Sequence, residues 1–168
     1  MGSMKRLFLI GGAMGIGKTT TAEALAKILP DNVLLDGDWC WKMTPFTVTE
    51  ETKRMVMENI TFLLGQFLKC SAYENVIFCW VMHEQSIIDA ILSCIPTDDV
   101  RVIPISLVGT SEALTAHLMG DIEKGIRTED VIGRSLAYLP KYEILNTIKI
   151  DVSDLSAEET ARKICELI

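Results

Sequence analysis

Residues 12–19 read Gly12-Ala13-Met14-Gly15-Ile16-Gly17-Lys18-Thr19, a complete G-x-x-x-x-G-K-[ST] phosphate-binding pattern. Glycines let the backbone curl so that successive N–H groups face phosphate oxygens. In this pattern the lysine reaches the β- and γ-phosphates and the threonine hydroxyl ligates Mg²⁺. The flanks agree with the motif. Lys5-Arg6-Leu7-Phe8-Leu9-Ile10 is a short apolar run of strand type, and Thr20 to Leu29 carries Ala22, Leu25, Ala26 and Leu29 at helical spacing. Strand, loop and helix in that order set the positive end of a helix against bound phosphate. The residues expected to hold a triphosphate are therefore Gly12, Ala13, Met14, Gly15, Ile16, Gly17, Lys18, Thr19 and Thr20.

Strand-like and helix-like segments alternate outward from this point. Val33-Leu34-Leu35 reads as a second strand ending at Asp36-Gly37-Asp38, and a loop with Pro45 follows. Glu50 to Ser71 reads as a long helix with Val56, Ile60, Leu63, Leu64, Phe67 and Leu68 along one stripe. Residues 75–80 form a buried strand, Glu84 to Ser93 a helix, and Val100 to Leu107 another strand. A helix starts at Ser111, a polar segment covers 120–130, and a helix spans about Glu129 to Tyr142. Thr147 to Ile150 is the fifth strand, and Ser156-Ala157-Glu158-Glu159 opens the last helix as a capping box. Five strands alternating with helices predict an α/β fold: three layers, a parallel sheet covered on both faces, and ligands beyond the strands' carboxyl ends. Without repeats, low-complexity tracts or a linker, 1–168 reads as a single domain, with a small lid at about 120–135.

The whole-chain numbers narrow the function. A chain of 168 residues, 49% hydrophobic and 23% charged, has the composition of one globular domain. Sixteen basic against 23 acidic residues give a formal charge of −7, which speaks against nucleic acid as a partner. No apolar run approaches the roughly 18 residues that span a bilayer, and the N-terminus does not resemble a signal peptide. Cys40, Cys70, Cys79, Cys94 and Cys165 are scattered, odd in number and lack a C-x-x-C pair. Reduced thiols in a cytoplasmic protein account for them better than zinc or disulfides.

Several side chains outside the loop are candidates for chemistry. Asp36 and Asp38 end the second strand at the sheet's carboxyl edge. One can support a metal ion while the other accepts the proton of a hydroxyl acceptor; a solvated Asp-Gly turn is the alternative. Trp39 and Trp41 fall in a predicted loop, where they wall a small-molecule pocket or anchor the loop. Arg54 on the long helix is a candidate clamp for an anionic group or a solvated surface arginine. Trp80 and His83 follow the third strand on the ligand-facing edge, His83 either touching substrate or satisfied locally. Arg127 and Arg134 lie in and after the polar segment. There they either stabilise charge on a transferring phosphoryl group or balance Glu123, Glu129 and Asp130 in solvent.

With these residues in hand, the layout of the chain resembles the P-loop small-molecule kinases of the shikimate kinase, gluconate kinase and adenylate kinase group. The resemblance implies ATP- and Mg²⁺-dependent phosphorylation of a small acceptor; a monomer or homodimer without nucleic-acid or membrane partners is the expectation for the chain. It assigns ATP to Gly12–Thr19, and the metal to Thr19 and Asp36. It assigns the acceptor hydroxyl to Asp38, and the lid to Gly125-Ile126-Arg127, with Arg127 and Arg134 on phosphate. Lys18, Asp36, Asp38 and Arg127 become the expected catalytic set, and Asp38, Trp39, Trp41, Arg54, Trp80 and His83 the acceptor site. Ile150-Asp151-Val152-Ser153 is similar to the strand and turn near the adenine. Two stretches depart from the group. Cys79-Trp80-Val81-Met82-His83 replaces the glycine-rich turn of shikimate kinases, which argues against shikimate as acceptor. His117-Leu118-Met119-Gly120-Asp121 stands where arginines are usual. A nucleotide-binding switch or regulator without turnover is the competing function, although N-K-x-D and a D-x-x-G after an apolar strand are missing.

Overall fold

The computed structural model describes residues 3–168. Its first strand, β1 (Lys5–Gly12), lies at the centre of the sheet, with Leu7, Phe8, Leu9 and Ile10 almost completely buried. A strand covered on both faces can be apolar without alternation, which explains this run and that of β3 (Asn75–Cys79), buried at every position. The remaining strands are β2 (Asn32–Asp36), β4 (Val100–Val108) and β5 (Ile148–Asp151). All pair in parallel, in the order β2-β3-β1-β4-β5.

Helix α1 (Lys18–Ile28) follows the phosphate loop and packs against the last helix, α6 (Ala157–Cys165). That packing puts the two on one face of the sheet. The crossovers from β2 to β3, β3 to β4 and β4 to β5 run opposite to that from β1 to β2, so right-handedness puts α2 (Glu50–Lys69), α3 (Gln85–Ser93), α4 (Ser111–Glu123) and α5 (Asp130–Glu143) on the other face of the sheet. The predicted stripe on α2 is buried at Val56, Ile60, Leu64 and Leu68, and a Thr49–Thr52 capping box fixes its start. Ser156 and Glu159 form the capping box foreseen for α6. Fully buried Tyr142 seats the end of α5 beneath Gly11. Among the described residues, no helix is long and apolar enough to cross a membrane.

Three details refine the sequence reading. Helix α1 starts at Lys18 rather than Thr20, so the motif's lysine and threonine occupy its first turn. β2 does not neighbour β1; β3 lies between them, with Asp36 in register with Cys79 and Cys79 with Ile10. The strand order reverses around β1, which opens a crevice at the carboxyl edge. The predicted loop after Asp36 begins with a turn of 3₁₀ helix, Gly37–Trp41, capped by the Asp36 carboxylate accepting from the Asp38 N–H. Local sequence underdetermines such a short element, because it is held by its contacts rather than its propensity.

Gly37 sits flat against Trp80. A Cβ at this position would lie 2.4 Å from Trp80 Cγ and 2.9 Å from its Cβ. Gly37→Ala should therefore destabilise the protein by about 1–3 kcal/mol through overpacking, read from urea unfolding. Replacing Trp80 with leucine in the same chain should recover part of that loss. A Gly37→Ala protein as stable as the parent would show that the corner yields easily.

Candidate active site

The phosphate loop leaves β1 at Gly12 and enters α1 at Gly17. Within it, the Ile16 N–H donates to the Ala13 carbonyl at 3.1 Å, and the Lys18 ammonium donates to the same oxygen at 3.0 Å. Gly15 has φ +85°, a left-handed conformation that disfavours any side chain, and a Cβ there would meet Leu118 at 2.4 Å. The loop's outer edge is occupied by α4 and α5. Ser135 donates to the Met14 carbonyl, and His117 Nδ1 lies 3.3 Å from the Gly15 carbonyl. With these carbonyls engaged outside, the amides of Lys18, Thr19 and Thr20 open α1 without intrahelical acceptors, the arrangement that receives an anion.

An acidic corner faces the loop. Thr19 Oγ1 donates to Asp36 Oδ2 at 2.8 Å, and the Asp38 N–H donates to Asp36 Oδ1 at 2.9 Å, so both oxygens of this buried carboxylate are bonded. Cys79 lies beside it, and burial with the neighbouring Asp36 pushes its thiol far above the usual range; it is inert as a nucleophile. Withdrawal from water raises the Asp38 carboxyl, with the Asp36 charge adding to it and Lys18 and Arg127 opposing. Lys18 moves the other way, to about 8, because removal of its ammonium from water outweighs the attraction of Asp38. Among the described residues no cluster of three or more His, Cys, Asp or Glu offers a metal cage. The donors at hand are one hydroxyl and carboxylate oxygens, which suit a hard cation that keeps water and takes phosphate oxygens, as Mg²⁺ does.

Loop and corner border one cavity of about 550 Å³. It brings together Met14, Gly15, Gly17, Lys18, Thr19, Thr20, Asp36, Asp38 and Arg127 of the expected set. Gly12, Ala13 and Ile16 are buried behind the loop and do not line it. Arg127 is held at 3.0 Å by Asp121, whereas exposed Arg134 pairs with Asp130 one turn along α5, outside the cavity. Arg54 is an exposed surface side chain of α2 away from the lining, because the α2 stripe that faces inward is the apolar one.

Trp39, Trp41 and Trp80 also lie outside the lining: Trp80 supports Gly37, and Trp41 stacks obliquely on Phe46 with ring centres 5.7 Å apart. His83 packs on Tyr138 at 4.5 Å and approaches Glu84 at 3.7 Å; burial lowers its pKa, opposed by Glu84. It therefore ties the β3–α3 connection to α5. Sequence reasoning missed Cys79 and Val81 at the end of β3, and Ala116, His117, Gly120, Asp121 and Lys124 on α4 and its exit. The α4 set recurs at steps of three and four, a helical face visible in the sequence once a ligand is assumed to pass beside it.

Residues 9–103 match the model of a family described as the AAA domain. The chain belongs to that family. This AAA domain protein shares its fold with three solved structures of low sequence identity. The tunicamycin resistance protein of Deinococcus radiodurans aligns over 97% of this chain and 95% of its own, with TM-score 0.68 and 17% identity. A gluconokinase from Sinorhizobium meliloti 1021 aligns over 96% and 90%, with TM-score 0.67 and 18% identity. Shikimate kinase from Acinetobacter baumannii, in complex with shikimate, aligns over 98% and 93%, with TM-score 0.64 and 22% identity. The comparison with curated proteins gave no match. The architecture is thus the three-layer P-loop NTPase fold, and the AAA domain chain carries that fold's phosphate loop intact.

The shift of Lys18 has a measurable sign. A lysine at about 8 when folded and 10.5 when unfolded binds its proton more weakly in the native state. Its burial penalty is fully present below about pH 8 and fades as pH rises toward 10.5. Lys18→Met should therefore stabilise the ligand-free protein by about 1–3 kcal/mol at pH 7.5. Denaturant titrations of both proteins should show that gap closing by pH 10. A gap of opposite sign would mean that the ammonium's bond to Ala13 outweighs its desolvation.

Proposed function

We propose that this AAA domain protein is an ATP- and Mg²⁺-dependent phosphotransferase that moves the γ-phosphoryl group of ATP to a small hydroxyl- or phosphate-bearing acceptor. Nucleosides, nucleotides, hydroxylated metabolites and antibiotics are the acceptor classes in view. One observation carries the reading: the hydrogen-bonded run Thr19–Asp36–Asp38 enters the same cavity as Lys18 and Arg127. Asp38, its carboxyl raised by withdrawal from water and by the Asp36 charge, stands in that cavity beside the phosphate loop as the candidate group to receive an acceptor's proton. Two of the structural neighbours named above, a gluconokinase and a shikimate kinase, support kinase chemistry as the reaction class.

The roles follow from charge and position. The loop amides and Lys18 hold the β- and γ-phosphates. Thr19 and Asp36 would hold Mg²⁺, which neutralises phosphate charge when bound. Asp38 orients the acceptor hydroxyl and takes its proton as the oxygen bonds to the γ-phosphorus. The bond from that phosphorus to the bridging oxygen breaks, and ADP leaves with its electron pair. Arg127 meets the charge spread over the transferring group after exchanging Asp121 for phosphate. The segment 120–135 acts as a lid that keeps water, a competing acceptor, from the phosphorus.

Asp38→Asn should retain ATP affinity but slow transfer by about 10²-fold or more. Turnover equal to the parent would remove Asp38 from the base's role. The acceptor is found by scoring ADP release above the background ATPase across candidate hydroxyl compounds. Lys18→Ala should lose ATP binding in calorimetry, and undiminished affinity would overturn its assignment.

A further inference from the structure

Helix α2 carries a second line of residues besides the apolar stripe it buries. Glu58, Phe62, Gly65 and Lys69 follow one another at steps of four, three and four, the spacing of a seam along one side of a helix. Phe62 is 66% exposed on that seam, and exposed Met55 extends it beyond Glu58. Thr61 and Gln66 join these four in lining a groove of about 360 Å³, which Pro96 also borders. Gly65 lies in the middle of it. Beyond its own helix, a Cβ at Gly65 would come within 4 Å of Pro96 Cδ alone, at 3.9 Å. The fold itself therefore does not demand glycine here, although glycine weakens a helix interior. The space it leaves is open to a side chain from outside.

The order of residues along the groove is self-complementary. Set a second copy of α2 antiparallel to the first, about a two-fold axis between Leu63 and Leu64. Glu58 then meets the partner's Lys69, Thr61 the partner's Gln66, and Phe62 the partner's Gly65, and each pairing occurs twice. A parallel arrangement would instead stack glutamate on glutamate and lysine on lysine. Among the described residues, neither Glu58 nor Lys69 has an ion-pair partner within its own chain. An aromatic knob over a vacant floor, with opposite charges at the rim, is the layout of a protein–protein contact. None of the six residues lines the cavity of the candidate active site, so pairing through them engages neither the phosphate loop nor the acidic corner.

We propose that this outer face of α2 is the interface of an antiparallel homodimer, in which Phe62 of each copy seats over the partner's Gly65 and two Glu58–Lys69 pairs close the ends. The proposal is independent of the phosphotransferase reading.

Sedimentation equilibrium of the full chain in reducing buffer tests it. An interface one helix wide is small, so the parent should dimerise with a dissociation constant of about micromolar order. Phe62→Asp should weaken the dimer about 100-fold or more. Gly65→Ala should weaken it several-fold, because the added methyl takes the seat of the ring. Glu58→Lys and Lys69→Glu should each weaken it about tenfold, since each sets like charges together at both ends. Mixed in equal amounts, these two variants should recover dimers, because the mixed pair has opposite charges at both ends. Unchanged far-ultraviolet circular dichroism identifies the variants that are folded, and the two charge variants decide the question even where Phe62→Asp is not. A parent that stays monomeric at about 200 µM overturns the proposal. So does a dimer indifferent to Phe62→Asp, which must use another face, or a mixture of the charge variants no more dimeric than either alone.

Discussion

The hydrogen bond from Thr19 to Asp36 joins two segments that the sheet keeps apart. Thr19 belongs to the first turn of α1, Asp36 ends the edge strand β2, and β3 runs between β2 and the central β1. Asp36 is buried, so its charge needs partners, and a buried carboxylate oxygen left without a donor is costly. Thr19 satisfies one oxygen and the Asp38 amide the other. The same pair of bonds therefore fixes the start of the 3₁₀ turn, the height of Asp38 and the position of the motif's hydroxyl. Gly37 completes the corner, since only a residue without a side chain lets Trp80 close over it.

A second set of contacts holds the phosphate loop from outside. Leu118 covers Gly15, while His117 and Ser135 approach the Gly15 and Met14 carbonyls. These come from α4 and α5, the two helices that flank the turn carrying Arg127. The loop's shape and the arginine's position thus depend on one helical pair. Movement of that pair would act on both at once, which gives the proposed lid a mechanical connection to the phosphates.

The electrostatics of the cavity fit a site awaiting an anion and a cation together. Lys18 is shifted down and Asp38 up, each toward its neutral form, because neither has enough opposite charge nearby to offset the loss of water. Arg127 has that partner in Asp121. Polyphosphate with a divalent ion supplies what the first two lack and offers Arg127 an alternative to Asp121.

The phosphate loop, both capping boxes and the α2 stripe rest on near neighbours in the chain. A motif, a cap and a helical period are local devices, so Gly12–Thr19, Ser156–Glu159 and the Val56–Leu68 stripe could be located from sequence, whereas α2's Thr49–Thr52 box, with threonine where the rule asks for Glu or Gln, could not. Asp36 and Asp38 were legible as a pair at a strand's end for the same reason. What tertiary structure alone decided are matters of distance between remote segments: that β3 separates β2 from β1, that Trp80 lies beneath Gly37 rather than in the cavity, and that Arg134 turns to Asp130 while Arg127 enters the cleft. Such outcomes depend on the packing of both faces of the sheet at once, a condition that no window of neighbouring residues contains.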